Sequence, residues 1–410
     1  MSLYKIVFLI LITLSFLYKL FLHVRTYRSR HNPIPENVAD VYDADAYLRW
    51  KNYTAESTRL AAWSDAAGFA VLFLLLACNV FALTDKIAND YLAAIAVTLI
   101  ALAASALVEA PFQYFDSMHI EERYGFNRYT KKLFWVDQIK GFILNALFSV
   151  ALVCLFVLCF RLLGSRMPLA FAAAGLLFIL FSVFISPLIM RFQFKVQPLE
   201  EGELRDKLSA MLKKHGFHVR AIELIDASKR TSKVNASFSG LGKAKTITLF
   251  DTMLESFSTD EIVAIFAHEL GHGLHRDMLK LVIQQAVLFV LIGLCLWFTA
   301  STEAVSTAFG FSGVSLGLAY LLVQDAELGV LSPILDLVQA ALSRRAEYAA
   351  DRQAVEEGYG EALASALKKL ARVDFSNLSP DPLVVTLSYS HPTISQRVAA
   401  IDAALARRRS

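Results

Sequence analysis

Charged side chains are scarce in this sequence, and no stretch of it is strongly basic. Only 19% of the 410 residues are Asp, Glu, Lys or Arg, and the formal net charge is +3. A surface that binds nucleic acid needs concentrated positive charge, which so small a balance does not supply. We therefore expect no nucleic-acid partner.

Cysteine is also scarce, and the few that occur show no CxxC spacing. All four lie in apolar stretches, at Cys78, Cys154, Cys159 and Cys295. Thiols buried in a membrane are poor candidates for disulfides or zinc ligands, whereas they serve well as small apolar fillers. We expect neither a disulfide framework nor a thiolate metal site.

Apolar residues, by contrast, are abundant: they make up 56% of the chain, and the mean hydropathy is +0.48. A membrane-spanning helix needs about 20 mostly apolar residues to cross roughly 30 Å of hydrocarbon. Seven windows approach this requirement: Ile6–Leu22, Ala66–Leu83, Tyr91–Val108, Phe142–Leu163, Leu169–Met190, Leu279–Phe298 and Val314–Ala341. The sequence predicts a mainly α-helical, multi-pass membrane protein whose partners include membrane lipid.

The first and last windows each have an alternative. The first could be a signal peptide, but no small-residue cleavage site follows it, so we expect a retained anchor. The last contains Asp325, Glu327 and Asp336 and could be an amphipathic helix packed beside the bundle. A carboxylate within a membrane faces protein or water rather than lipid, so this window predicts a polar interior.

The distribution of lysine and arginine predicts the topology. These residues are concentrated after the first, third and fifth windows and in the C-terminal tail. Lys86 alone lies between the second and third windows. Near the junction of the fourth and fifth there are only Arg161, at the end of the fourth window, and Arg166, and neither residue type lies between the sixth and seventh. The positive-inside rule then places the N-terminus outside, and the long segment after the fifth window and the C-terminal tail in the cytoplasm. The membrane would be the inner membrane in a bacterium and the endoplasmic reticulum in a eukaryote.

The chain divides into membrane and non-membrane parts. We expect a membrane bundle with a small α+β domain on its cytoplasmic side, built from these segments: membrane helices one to five with loops (1–190, loops 25–65 and 109–140), the first part of the α+β domain (191–278), membrane helices six and seven (279–341) and the second part of the α+β domain (342–410). A strand predicted at Thr246–Phe250 precedes the run Ile262–His275. Its exposed edge could hold a peptide as an added strand.

One pentapeptide, His268-Glu269-Leu270-Gly271-His272, carries the chemistry. Residues four apart on an α-helix lie one turn above each other, so both imidazoles can bind one metal ion. Glu269 falls beside that face, where its carboxylate can take a proton from water. A capping-box pattern, Ser258–Glu261, predicts where the helix begins. The alternative is a helix with two histidines on a polar face. We expect one Zn²⁺ ion and peptide hydrolysis, which makes 191–278 and 342–410 the two parts of a zinc metalloprotease domain.

Catalytic zinc needs a third protein ligand. In the metzincin pattern that ligand would be a histidine six residues after His272, but the residue there is Met278, so the pattern fails. The remaining common arrangement is a glutamate from a second helix, and Ser343–Asp351 supplies Glu347. Asp351 shares its face and can hydrogen-bond an imidazole of the first helix. Taken alone, Glu347 would be better interpreted as a surface carboxylate.

These residues resemble the type I CAAX prenyl proteases, which are seven-span membrane metallopeptidases with a glutamate-type zinc site. The resemblance covers nearly the whole chain. Besides the zinc motifs it includes Pro111–Tyr114, Ile120–Asn127, Asp137–Gly141, Pro198–Leu204, Ser228–Arg230, Asn235–Ala236, Leu249–Thr252, Ser390–Pro392 and Arg397.

The resemblance implies a chamber enclosed by seven tilted membrane helices and capped by the zinc domain. It implies further that His391 donates to the oxyanion of the transition state, that Arg397 holds this region in place, and that Asn235 lies beside the substrate backbone. One departure concerns substrate positioning: where the family has Ser-His-Ser before the asparagine, this chain has Ser232-Lys233-Val234.

The resemblance also implies the substrate, a peptide or protein ending in a prenylated CAAX motif that is cut after the modified cysteine. Two alternatives remain open. A membrane quality-control protease would use the same zinc residues without requiring a prenyl group. A receptor or transporter built around Asp325 and Glu327 would bind no zinc and would be indifferent to Glu269→Ala.

Overall fold

The computed structural model describes residues 2–229, 236–239 and 244–409. Within these ranges the chain is mainly helical. The helices are α1 (Leu3–Ser29), α2 (Ala44–Ala77), α3 (Asp90–Phe115), α4 (Glu122–Tyr124), α5 (Lys131–Leu163), α6 (Met167–Gln193), α7 (Glu203–Lys214), α8 (Asp251–Ser256), α9 (Thr259–Leu274), α10 (Asp277–Ser301), α11 (Glu303–Ala308), α12 (Leu316–Leu322), α13 (Leu328–Glu356), α14 (Gly360–Val373), α15 (Pro382–Ser388) and α16 (Ile394–Arg409). Two π-helical turns, Asp116–Glu121 and Val323–Glu327, join α3 to α4 and α12 to α13.

Among the described residues, five helical stretches are long and apolar enough to cross a membrane. They are Leu3–Ser29, Ala44–Ala77, Asp90–Tyr124, Lys131–Phe181 and Leu279–Ser301. The fourth stretch contains two helices, α5 and much of α6, which the turn Gly164–Arg166 separates. The first six predicted windows therefore fall on α1, α2, α3, α5, α6 and α10. The seventh lies on α12 and α13, which are helical but outside these five stretches.

The membrane helices pack against one another in two hydrophobic clusters, but most of the apolar surface of the five stretches is exposed. Only 6% to 22% of the residues in the most apolar part of each stretch are buried. Close approaches are local: α10 meets α6 at Gly293, where a Cβ atom would lie 2.8 Å from the carbonyl oxygen of Pro168. The mainly α-helical membrane fold is confirmed, whereas the enclosed chamber stays a prediction.

A four-stranded sheet lies on the chain between α6 and α8. Its strands are β1 (Val196–Pro198), β2 (His218–Ile225), β3 (Ala236–Ser239) and β4 (Ala244–Phe250), in the order β1-β2-β4-β3. Strands β2 and β4 are parallel, whereas β1 with β2 and β3 with β4 are antiparallel.

The prediction that Thr246–Phe250 forms an exposed edge is wrong. This segment belongs to β4, which hydrogen-bonds to β2 on one side and to β3 on the other. The edges of the sheet are β1 and, next to β4, the strand β3, which is only four residues long. It was missed because a segment this short, next to glycines, carries too little side-chain alternation to predict a strand.

One hydrophobic cluster supports the helices that carry the predicted zinc residues. It joins the sheet, through Ile247 and Leu249, to Val263 and Leu270 of α9. The cluster also takes in residues of α7, α13, α14 and α16: Leu208, Leu212, Ala354, Val355, Leu363, Leu367 and Ile401. Buried apolar area of this kind stabilises the relative position of the elements. Helices α9 and α13 thus meet above a packed core, although membrane helix α10 and the α11–α12 segment separate them along the chain.

Candidate metal centre

Helix α9 begins at the predicted capping box. The Ser258 hydroxyl accepts from the backbone N–H of Glu261, and the Glu261 carboxylate accepts from the backbone N–H of Ser258 at 2.9 Å. The same carboxylate also accepts from Lys369 Nζ and Ser365 Oγ of α14, each at 2.7 Å. These contacts satisfy N–H groups that a helix end leaves free and tie the start of α9 to α14.

A glycine lets α13 approach α9 closely. A Cβ atom built on Gly271 would lie 2.8 Å from the Cα of Ala350, so any larger residue would push the two backbones apart. Glu347 lies three residues before Ala350 on α13, one turn of helix away. The glycine within the pentapeptide therefore brings the carboxylate of α13 to the histidines of α9.

The three predicted ligands converge on one point. His268 Nε2 lies 3.4 Å from Glu347 Oε2, and His272 Nε2 lies 3.4 Å from Glu347 Oε1. The two Nε2 atoms are 3.3 Å apart. Within the described ranges these three residues form the one group whose ligand atoms all lie within 4.8 Å of each other. His268 and Glu347 are buried, with 6% and 4% of their surface exposed.

This arrangement fits a metal cation. Each imidazole directs Nδ1 at a carboxylate, Asp351 for His268 and Asp277 for His272, both at 2.9 Å. Both Nε2 atoms consequently face the shared gap. Glu347 Oε2 is buried and makes no hydrogen bond with the described part of the chain. Imidazole nitrogens and carboxylate oxygens are typical zinc ligands. Histidines that bind zinc usually also hydrogen-bond a carboxylate through their other ring nitrogen, as the two Nδ1 atoms do here.

The pKa shifts of these groups indicate that the gap favours positive charge. Burial opposes charge on His268, but the nearby carboxylates of Asp351 and Glu347 outweigh burial and raise the pKa of the imidazole. For His272, the carboxylates of Glu347 and Asp277 likewise outweigh burial and raise the pKa to about 9. Burial also opposes charge on Glu347, yet the two histidines hold the pKa of this carboxyl well below its usual range. A bound metal cation supplies the positive charge that these groups favour.

An arginine from the C-terminal helix closes the buried side of the centre. Arg397 of α16 donates from Nη2 to Asp351 Oδ1 at 2.7 Å and from Nε to Asp351 Oδ2 at 3.0 Å. Its Nη1 lies 3.5 Å from Glu347 Oε2. The structure thus brings Asp351 and Arg397 together with the ligands, at distances suited to orienting His268.

His391 lies on the open side. Its Nε2 is 3.2 Å from Glu347 Oε1, and 60% of its side chain is exposed. The loop before it is held by Arg344 of α13, which donates to the carbonyl oxygens of Val385 at 3.0 Å and Tyr389 at 2.7 Å. An exposed imidazole beside the ligands can reach a bound substrate.

Sequence reasoning missed Asp277 and Arg344. Asp277 is the first residue of α10, where the α9–α10 turn brings it back to His272. A carboxylate five residues after the second histidine was a usable signal for Asp277. Arg344 acts on backbone carbonyls, which no side-chain pattern reveals.

The two remaining predicted site residues are Glu269 and Asn235. Glu269 is half-buried on α9 between the two histidines. Asn235 lies outside the described residues.

Known proteins resemble both halves of the chain. Residues 23–193 match a family described as "CAAX prenyl protease N-terminal, five membrane helices", and residues 198–405 match "Peptidase family M48". "CAAX prenyl protease 1" of Saccharomyces cerevisiae is 29% identical over 95% of this chain and 93% of its own length. "CAAX prenyl protease 1 homolog" of Arabidopsis thaliana is 31% identical over 73% of this chain and 70% of its own.

A solved structure has the same fold as this chain. The crystal structure of Ste24p from S. mikatae superposes with a TM-score of 0.91 at 26% sequence identity, covering 98% of this chain and 100% of the other. The membrane helices and the helices of the metal centre are thus arranged as in that solved structure.

Proposed function

Because the chain belongs to the CAAX prenyl protease family, within peptidase family M48, and is a membrane metalloendopeptidase, we propose that it holds one zinc ion and cleaves prenylated CAAX substrates. The observation that carries this proposal is the convergence of His268, His272 and Glu347 within 4.8 Å. The receptor or transporter alternative is set aside, since the chain is an enzyme.

The two histidines and Glu347 would hold the ion. Zinc bound there would act as a Lewis acid toward the scissile carbonyl and would make a water molecule more acidic. The remaining chemistry belongs to the chain's own side chains. Asp351 and Arg397 keep His268 oriented, and Asp277 does the same for His272, so that both imidazoles present Nε2.

Glu269 is the proposed general base. Its place between the two histidines on α9 lets its carboxylate take a proton from the attacking water and deliver it to the leaving amine nitrogen. His391 is the proposed donor to the oxyanion that develops on the carbonyl oxygen. Its exposed position on the open side of the centre supports that role.

The substrate backbone would pair with strand β3. This strand is the sheet edge on the side away from β2, and an extended peptide can add to such an edge through main-chain hydrogen bonds. Asn235 directly precedes β3 in the sequence, which supports its proposed place beside the substrate. Residues 191–278 and 342–410 would together form the protease part.

The catalytic part would face the cytoplasm. Membrane helices make the chain a multi-pass membrane protein, and the lysine and arginine bias supports this orientation. A membrane site suits a lipidated substrate, because the lipid anchors the substrate at the surface where the metal centre lies.

Two peptides of one sequence, one prenylated and one not, test the proposal. The purified protein in lipid nanodiscs should contain one zinc per chain and cleave the prenylated peptide after its modified cysteine. Glu269→Ala should retain zinc and lose hydrolysis. Equal cleavage of both peptides would instead support a quality-control protease, whereas full activity of Glu269→Ala would disprove the general-base role.

A further inference from the structure

A cavity of about 230 Å³ opens directly beside the metal centre, between α10 and α13. We call it the α10–α13 cleft. Its walls are His272, Asp277, Lys280, Leu281, Gln284, Gln339, Leu342, Ser343 and Ala346. One end is therefore formed by a proposed metal ligand, and the sides are formed by one face of each helix. Any substrate group that enters it lies next to the scissile bond.

The charges in the cleft are already paired. Lys280 Nζ lies 2.7 Å from Asp277 Oδ1, and the other oxygen of Asp277 accepts from His272. The rest of the wall consists of apolar or uncharged side chains, among which Leu281 and Leu342 are 39% and 43% exposed. A carboxylate entering the cleft would find no free cation there, because Asp277 already neutralises Lys280. The cleft therefore suits an apolar, uncharged group.

The shape of the cleft favours a long chain over a single amino-acid side chain. On each helix the lining residues extend over eight positions, from Asp277 to Gln284 and from Gln339 to Ala346, and these seven steps correspond to about 10 Å at a rise of 1.5 Å per residue. Leu281 and Gln284 lie within the membrane stretch Leu279–Ser301. The cleft thus runs from the metal centre toward the depth of the hydrocarbon. An isoprenoid can follow this path, whereas a leucine side chain would fill only its beginning.

We propose that the α10–α13 cleft receives the isoprenoid chain of the substrate's modified cysteine. The inference rests on the proposed function and adds the place where the lipid is recognised. The cysteine then lies beside His272 with its lipid between the two helices. Each methylene group that leaves water stabilises the complex, so the prenyl group increases affinity for the substrate.

Two adjacent glutamines provide a matched pair of variants. Gln284 lines the cleft, while Gln285 does not. Gln284→Phe should narrow the cleft, and Gln285→Phe should place the same ring on another face of α10. The measured quantity is the ratio of kcat/KM for the prenylated peptide to kcat/KM for its unmodified twin. Gln284→Phe should lower this ratio at least about tenfold, as expected when roughly two methylene groups lose their burial. Gln285→Phe should change it less than twofold.

A second measurement does not depend on the folding of those variants. A peptide whose isoprenoid carries a photoreactive diazirine is bound to Glu269→Gln protein and irradiated. Crosslinks should map to the α10 and α13 segments that line the cleft. Crosslinks confined to other helices, together with equal ratios for the two glutamine variants, would overturn the inference while leaving the prenyl preference intact. A wild-type ratio near one would instead disprove the proposed substrate, and the inference with it.

Discussion

The two histidines of the metal centre have the same chemical surroundings but very different exposure. In each case a carboxylate accepts from Nδ1 at 2.9 Å, and a cation lies 2.7 Å from that carboxylate. The inner half of the centre is His268, Asp351 and Arg397, with side chains 8%, 2% and 9% exposed. The outer half is His272, Asp277 and Lys280, with side chains 25%, 16% and 62% exposed.

The two halves also differ in how they are assembled. The inner half combines α9, α13 and α16, which are far apart in the chain, whereas the outer half is local to the α9–α10 turn. Ion pairs gain strength when water is excluded, and breaking a buried pair leaves an uncompensated charge. An exposed pair contributes little. We therefore expect the inner half to control metal retention and the outer half to face the substrate.

The largest effect is expected at Glu347, which touches both halves. Glu347→Ala should remove the metal and lower hydrolysis by on the order of 10⁴-fold or more, the scale seen when a catalytic unit is lost. Metal analysis and peptide cleavage measure the two losses. Glu356→Ala, an exposed position near the end of the same helix, is the control. If Glu347→Ala retained the metal, the two halves would hold the metal without the Glu347 carboxylate between them.

His391 tests whether the outer half serves the chemistry. His391→Ala should lower kcat by about 10²–10³-fold, the cost of removing one oxyanion donor, with metal content unchanged. The reason is that His391 Nε2 approaches Glu347 Oε1, the oxygen nearest His272, and is solvent-exposed. Steady-state kinetics separates kcat from KM. An increase in KM alone would assign His391 to substrate binding instead.

Removing each orienting carboxylate compares the halves directly. Loss of such a partner typically weakens metal affinity 10–100-fold. Asp351→Ala should weaken metal affinity about 100-fold, because it leaves Arg397 buried without its main partner. Asp277→Ala should weaken it only about tenfold, because water can replace an exposed carboxylate. Competition with a zinc-binding dye measures both. Equal losses would show that burial does not distinguish the halves.

Much of this centre could be predicted from the sequence because its signals are local. The pentapeptide and the capping box of α9 each depend on residues within one or two helical turns. Apolar windows locate membrane helices for the same reason. Glu347 required more: failure of the metzincin spacing excluded one ligand pattern, and the glutamate arrangement remained.

The features that could not be predicted depend on contacts between distant segments. Strand β4 lies inside the sheet because β2 and the short β3 both pair with it, and pairing partners are not written in a strand's own sequence. Arg344 holds the loop before His391 through carbonyl oxygens. The α10–α13 cleft lies between two helices that are not consecutive in the chain. Long-range packing determines all three.

The smallest effect is expected at Glu261, and it should be the same for the inner and the outer half of the metal centre. Glu261 caps α9, which carries both histidines, and its carboxylate is only 6% exposed. Burial opposes its charge, but Lys369, Ser258 and Ser365 together lower the pKa of the carboxyl. A folded-state pKa below the unfolded value, about 4.3, means that the carboxylate stabilises the fold above that pH. This stabilisation is lost as the pH falls through the folded-state pKa.

Glu261→Gln should therefore destabilise the protein by about 1–2 kcal/mol at pH 7, and the difference from wild type should shrink below about pH 4. Thermal unfolding of metal-free protein measures it, because protonation of the metal ligands then contributes equally to both proteins. Glu255→Gln, at an exposed position of α8, is the control and should unfold at the same temperature as wild type. The cap acts on the whole helix. Adding Glu261→Gln to Asp277→Ala and adding it to Asp351→Ala should therefore lower the remaining zinc affinity by the same factor. An unequal response would show that the two ends of α9 move independently, and that the inner and outer halves are separate structural units rather than two sides of one helix.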